Sequence, residues 1–475
     1  MTDPALAHAL DHIDSFRATL AHLVAAPSVG ADPDQAQGME TARQILENLL
    51  QQAGFKNLQR LGPGPDEPGQ PALYGERLDA PGLPTLLVYG HYDVQPPEPL
   101  DLWDSPPFKL TERDGRLYGR GISDDKGPLL IALHSLAALV AVNGALPVNI
   151  KILIEGEEET GSPSMPAILR DNADLLRADA MLSADGARWR ADLVSLNVGA
   201  RGSGGFEIRL RTAAKDLHSG RYGGAVPNAL HEMARLLAGL HDNDNRVTAP
   251  GFYDGIAAPA EQEQADLAQI PFDEPGFAAT LETRLHGEAG FATLERLWLR
   301  PTVEVNGLWG GYTGAGAKTV TPALAHAKLT LRLVQGQDPV ATQAAVIADL
   351  RARCPRGATL DILDPRHPTG ASTLSPDHPL LTACSDALKS VTGKTPYHVR
   401  IGGSLPLVNM VQDTLGIDTV MFSFSTSDED FHAPNEFLRV ASIKQGFAAW
   451  IAVMHRVVGQ TLLDYSAFDA EKIDI

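Results

Sequence analysis

A chain of 475 residues with 44% apolar and 21% charged residues can bury a large core and is too long for one ordinary domain. Its formal net charge of −20 argues against binding to a phosphate backbone, which needs clustered Lys and Arg, and disfavours anionic membrane surfaces. Two cysteines, Cys354 and Cys384, exclude a disulfide framework and argue against zinc–thiolate sites. The opening MTDPALAHALDHIDSF carries Asp3, Asp11 and Asp14 where a secretory signal needs a basic end and an apolar run, so the expected location is cytoplasmic. No run of about 18 apolar residues predicts a membrane span. Leu6, Leu10, Ile13, Phe16, Leu20 and Leu23 recur at helical spacing and predict an amphipathic N-terminal helix, with Asp3 as N-cap and Pro4 in the first turn. A second helix follows near 41–53, then Gly/Pro turns at 62–71. Short, nearly continuous apolar runs at 86–90, 148–154, 180–184 and 419–425 read as strands buried on both faces, with a helix at 127–142 among them. From about 200 the pattern alternates instead: Phe206, Ile208 and Leu210 share one face, and 325–334 behaves likewise. A helix at 379–391 returns the α/β character. The expected architecture is an α/β catalytic domain over 1–198 and 372–475, interrupted by a smaller α+β domain over 199–371.

Each buried run leads into metal-capable side chains. LLVYG precedes His91 and Asp93, KILIEGE precedes Glu158 and Glu159, MLSA precedes Asp185, and VMFSFS leads by an acidic loop to His432. Asp124 lies just before the long helix. Ligands bind beyond the carboxyl ends of strands in open α/β sheets, so these residues converge on one edge. Two His and three carboxylates without Cys form the N/O donor set of zinc, and manganese or cobalt also fit. Five donors hold two ions if one carboxylate bridges, and such a pair activates water for hydrolysis. Of Glu158 and Glu159, one can ligate while the other serves as general base. Asp93 is placed to accept the other imidazole N–H of His91. An HExxH motif fails at 231 because Arg235 stands where the second His belongs; the Lys318-Thr319 pair lacks the P-loop glycine; no GxSxG elbow occurs.

HYDVQPP, LYGRGISDDKG, EGEEETGS, SADG, DLHSGRYGG, GAGAKTV and GGSLP, in this order across about 80–440, resemble the signatures of the carnosinase/aminoacylase family of dinuclear zinc metallopeptidases. The cytosolic, carnosinase-like dipeptidase branch is the most similar. The resemblance implies a zinc-peptidase-like catalytic domain with a mixed sheet flanked by helices, and an inserted lid domain that makes a homodimer. It implies two divalent ions per subunit, Zn2+ first, one held by His91, Asp124 and Asp185 and the other by Asp124, Glu159 and His432. It further implies Glu158 as general base, Asp93 orienting His91, and His218 reaching the partner subunit's site to stabilise the oxyanion. Arg332, Thr319, Gly403 and Ser404 would bind the terminal carboxylate of a small peptide, and the Asp124–Asp125 peptide would be cis. The third acidic residue, Glu157, leaves the register of the glutamate pair resting on the following TGS. Arg400 and the loop 241–300 follow no pattern of the family, which leaves dipeptidase, N-acyl-amino-acid deacylase and carboxypeptidase open, together with a catalytically silent metal-bound scaffold.

Overall fold

The computed structural model describes residues 3–64, 67–259 and 261–459, and these divide into two compact units, one drawn from 3–198, 374–399 and 410–459 and the other from 199–373 and 400–409. The expected division placed all of 372–475 with the first unit. Residues 400–409 instead belong with the second, because Arg201 N donates to the carbonyls of Ile401 and Gly403, and Asn409 Nδ2 donates to that of Gly370. Such long-range bonds leave no trace in composition.

The first unit begins with the expected cap: the Asp3 carboxylate accepts from Ala5 N and Leu6 N, with Pro4 in the first turn. The helix it starts ends at Asp11, and a second runs Ile13–Ala25, so the expected single helix is broken at His12. Leu6, Phe16, Leu20 and Leu23 are buried on both sides of the break, so the apolar stripe continues across it and periodicity cannot reveal it. The central sheet runs in the order Lys56–Leu61, Ala72–Arg77, Asn149–Glu155, Thr85–His91, Ala180–Ser183, Thr419–Met421, Ser195–Ala200. The four strands from Asn149–Glu155 to Thr419–Met421 are mutually parallel, and the outer pairings are antiparallel. Every residue of Asn149–Glu155 is buried, as its unbroken apolar run requires. The run 419–425 forms a ladder only to Met421; Phe422–Ser425 are buried but bend toward the site, where Ser425 Oγ donates to the Ser123 carbonyl.

Lys126–Asn143 is apolar enough to cross a bilayer by length and composition, yet 67% of it is buried, packed against Val440–Val457 and Pro4–Asp11. Its nearly all-round apolar character is that of a core helix. Gly144, at φ 77°, closes it in the left-handed conformation that favours glycine.

The second unit holds a four-stranded antiparallel sheet, ordered Thr302–Gly310, Leu324–Leu333, Gly202–Arg211, Thr359–Thr369. Phe206, Ile208, Leu210, Leu329 and Leu331 form its core with Met233 and Leu236 from the helix Ala229–Ala238 and Val346 and Leu350 from Pro339–Ala352. The alternation follows from covering one face with helices.

Candidate metal centre

The carboxyl ends of the parallel strands bring the expected donors together. His91 is the last residue of its strand, and Glu158 and Glu159 open the short turn Glu158–Thr160 after Asn149–Glu155. Asp185 lies two residues past Ala180–Ser183. His432 stands in the loop beyond Thr419–Met421 at φ 60°, a left-handed conformation uncommon for a residue with a side chain. Asp124 precedes the buried helix, and the Asp124–Asp125 peptide is cis.

Asp124 is the centre of the cluster. Its Oδ1 is 3.1 Å from His91 Nε2, and its Oδ2 is 3.1 Å from His432 Nε2. His432 Nε2 is also 3.2 Å from Glu159 Oε2, and His91 Nε2 is 4.0 Å from Asp185 Oδ1. One carboxylate thus faces two imidazoles, each beside a further carboxylate. Two donor triplets, each within 4.8 Å, emerge: Asp124 with Glu159 and His432, and His91 with Asp185 and Asp125. Asp125 was not expected. Its Oδ2 accepts from His91 N at 3.1 Å, while its buried Oδ1 has no hydrogen-bond partner among the described residues.

Asp93 lies where expected, beside the other imidazole nitrogen of His91. His91 Nδ1 is 3.0 Å from the Asp93 carbonyl oxygen and 3.4 Å from the carboxylate. The carboxylate also serves the glutamate turn, where Oδ1 accepts from Glu158 N at 3.2 Å and Oδ2 from Glu159 N at 3.0 Å. Asp93 therefore braces both strand ends, and the imidazole is still oriented by its backbone.

The electrostatics of the cluster are those of a site built for cations. Burial alone would raise Asp124, but the two imidazoles outweigh it and hold the carboxyl well below the usual range. His432 is pushed up to about 10 by its hydrogen bonds to Asp124 and Glu159. Burial pushes Asp185 up to about 6 and Glu158 up to about 9, the latter aided by Asp185, Asp124 and Glu159 against the pull of His91. Among the described residues, no Lys or Arg pairs with Asp124, Glu158, Glu159 or Asp185. Carboxylates whose only basic partners among the described residues are imidazoles, themselves metal donors, fit divalent cations, and an N/O set fits zinc, manganese or cobalt.

The other expected residues lie in the second unit, in two groups. His218 pairs with Val320 in a short ladder, where Ser219 N donates to the Thr319 carbonyl; both His218 and Thr319 are exposed. The second group is Arg332, whose Nη1 donates to Ser404 Oγ at 3.1 Å, with Gly403 alongside.

A model of the peptidase family M20/M25/M40 matches residues 87–456. The chain belongs to this family. It is a metallopeptidase, and hence a hydrolase. It is 28% identical over 467 residues to the Beta-Ala-His dipeptidase of Rattus norvegicus, covering 94% of each chain. Over 92% of its length it is 28% identical to the Cys-Gly metallodipeptidase DUG1 of Saccharomyces cerevisiae, 94% of which is covered. Among solved structures, the metallo-carboxypeptidase Sso-CP2 of Sulfolobus solfataricus matches with a TM-score of 0.79 and 29% identity, covering 94% of this chain and 99% of that one.

Four residues of this peptidase escaped the sequence reading. Besides Asp125, Gln95 Nε2 donates to Glu159 Oε2 at 2.9 Å. Glu436 accepts from Asp124 N at 3.1 Å; burial pushes it up to about 7 against the pull of Arg120 and of the Ser123 and Gly121 N–H groups. A donor already faces each oxygen from two sides, so the ionised form is the one that fits. Arg201 Nε donates to the Gly402 carbonyl at 2.8 Å, and neither it nor Arg332 has a carboxylate partner among the described residues. The signal for Glu436 was its place four residues after His432; for Arg201, residue type alone carries none.

Proposed function

We propose that this peptidase hydrolyses the peptide bond of dipeptides or short peptides that carry a free terminal carboxylate, with two divalent cations, Zn2+ first, held by His91, Asp124, Asp185, Glu159 and His432. The observation that carries the reading is Asp124, whose two oxygens each lie 3.1 Å from a different histidine nitrogen, as a bridging ligand requires. When bound, the ion pair supplies Lewis-acid polarisation of the scissile carbonyl and acidification of the attacking water. Glu158 takes the proton from that water as it adds to the carbonyl carbon and delivers it to the amine nitrogen as the C–N bond breaks. Glu159 already accepts from Gln95 and faces His432, whereas the Glu158 carboxylate has no hydrogen-bond partner among the described residues, which supports this division of labour. Asp93 orients His91 and seats the turn that carries both glutamates.

Arg332 and Ser404, with Gly403 and Thr319, receive the terminal carboxylate; the two arginines without carboxylate partners support an anionic ligand. His218 stabilises the oxyanion in the partner subunit of a homodimer. Support for dimerisation comes from the sheet edge Thr302–Gly310, which leaves Val305, Leu308 and Trp309 exposed. A cytoplasmic location completes the reading and is compatible with two free cysteines. The likeness to Sso-CP2 favours a second reading, carboxypeptidase action on longer chains.

Elemental analysis combined with a panel of dipeptides, tripeptides, acetyl-amino acids and C-terminal amides tests the proposal. Two ions per chain and turnover of free dipeptides are expected. Turnover confined to long peptides moves the assignment to a carboxypeptidase, and confined to acetyl-amino acids to a deacylase. A metal-reconstituted chain inert on the whole panel returns the scaffold reading.

A further inference from the structure

We infer that Glu436 is the positioning residue that fixes the backbone carrying Asp124, and thereby sets how tightly the cradle holds its cations. The inference rests on the metal-dependent reading above. Glu436 is buried to 1% exposure, and its carboxylate gathers four donors. Oε2 accepts from Arg120 Nη1 at 2.8 Å and Gly121 N at 2.8 Å; Oε1 accepts from Ser123 N at 2.8 Å and Asp124 N at 3.1 Å. Its own carbonyl accepts from Gly119 N at 3.1 Å. One residue therefore stitches the segment 119–124 to the segment that bears His432.

A second buried carboxylate completes the clamp. Glu429, three residues before His432, accepts from Ser123 Oγ, from Thr426 N at 3.1 Å and from Arg439 Nη1 at 2.9 Å. Ser123, the residue before Asp124, is held from both sides. The reason for such restraint lies in what Asp124 must do. A carboxylate that meets two imidazoles at 3.1 Å each tolerates little displacement, since a shift toward one is a shift away from the other. Catalytic constellations hold their geometry within about 0.5 Å, and backbone N–H groups converging on one anion are a rigid way to achieve that.

The chemistry gives a test that separates this role from mere filling of space. Both oxygens of Glu436 act only as acceptors. In Glu436→Gln the volume is kept, but the amide NH2 must face either Ser123 N and Asp124 N or Arg120 and Gly121 N, donor against donor. In Glu436→Asp the charge is kept, but the carboxylate falls one methylene short of its donors. Wild type, Glu436→Gln and Glu436→Asp, each stripped of metal and checked for wild-type circular dichroism, are titrated with Zn2+ against a chromophoric chelator; kcat and KM on a dipeptide follow. We expect two ions in the wild type, roughly 10–100-fold weaker affinity in both variants, and a loss concentrated in kcat rather than KM. Wild-type affinity and kcat in Glu436→Gln would overturn the inference; if that variant does not fold, wild-type affinity in Glu436→Asp does so. A wild type that binds no Zn2+ would bring down the metal-dependent reading itself, whereas a metal-binding wild type with indifferent variants would bring down this inference alone.

Discussion

Glu158 and Glu159 are neighbours of the same type, and only their surroundings separate them. Glu159 spends its carboxylate on Gln95 and His432; Glu158 sits beside three other carboxylates with its proton held up to about 9. A pair of cations held in this cluster would bring that value down toward neutrality, where a base both accepts and returns a proton. Glu158→Gln is expected to keep both ions by elemental analysis and to lower kcat by roughly 10²–10⁴-fold. Near-normal turnover would remove Glu158 as the base. Asp124→Ala has the opposite signature, loss of metal along with activity, because a shared ligand serves both positions; full occupancy would refute sharing. At this scale the donors were legible because their side chains carry the chemistry and follow recognisable strand ends. Glu436, Gln95 and Arg201 were not, since each acts by a hydrogen bond that residue type does not announce.

Elements were legible where burial dictates composition. The continuous apolar runs at 86–90, 148–154 and 180–184 became strands in the parallel core, and the alternating runs became the half-covered sheet of the second unit. Failures came where burial and hydrogen-bond geometry part company. Phe422–Ser425 are as buried as a strand but leave the ladder to shape the site, and His12 breaks a helix without breaking its stripe. The edge strand Thr302–Gly310 supports a prediction of its own. Leu308 and Trp309 are 50% and 41% exposed, and a charge there leaves the monomer core untouched. If the proposed dimer forms along this edge, Leu308→Glu with Trp309→Glu halves the mass measured by light scattering while thermal stability changes little. An unchanged mass would place the interface elsewhere.

For the molecule as a whole, the cluster makes stability depend on pH in the absence of metal. His432, raised to about 10, stabilises the fold below its ordinary value near 6.5, and that contribution is lost as pH rises toward 10. Glu158 acts in the same direction: its ionisation is suppressed in the fold up to about 9, so the unfolded chain gains relative to the folded one from about pH 4.5 upward. Asp124, held low, contributes throughout this window and loses its effect only in strong acid. Lys126, which burial lowers to about 7, opposes this trend above pH 7 whether or not metal is bound. The cluster's effect is therefore read as a difference: between pH 6.5 and pH 9 the Tm of chelated protein is expected to fall relative to that of metal-loaded protein, because cations take the place of protons. The same change in Tm in both forms over this interval would contradict the electrostatics described. The order of the central sheet carries a further implication. Thr419–Met421 lies between Ala180–Ser183 and Ser195–Ala200, two strands that leave the ribosome long before it. Until that strand is made, Ala180–Ser183 lacks its parallel neighbour on this side, and the segment that supplies it also leads to His432. Closure of the sheet and completion of the donor cluster thus depend on the same late segment, since the strand Thr419–Met421 and His432 are joined by one short loop.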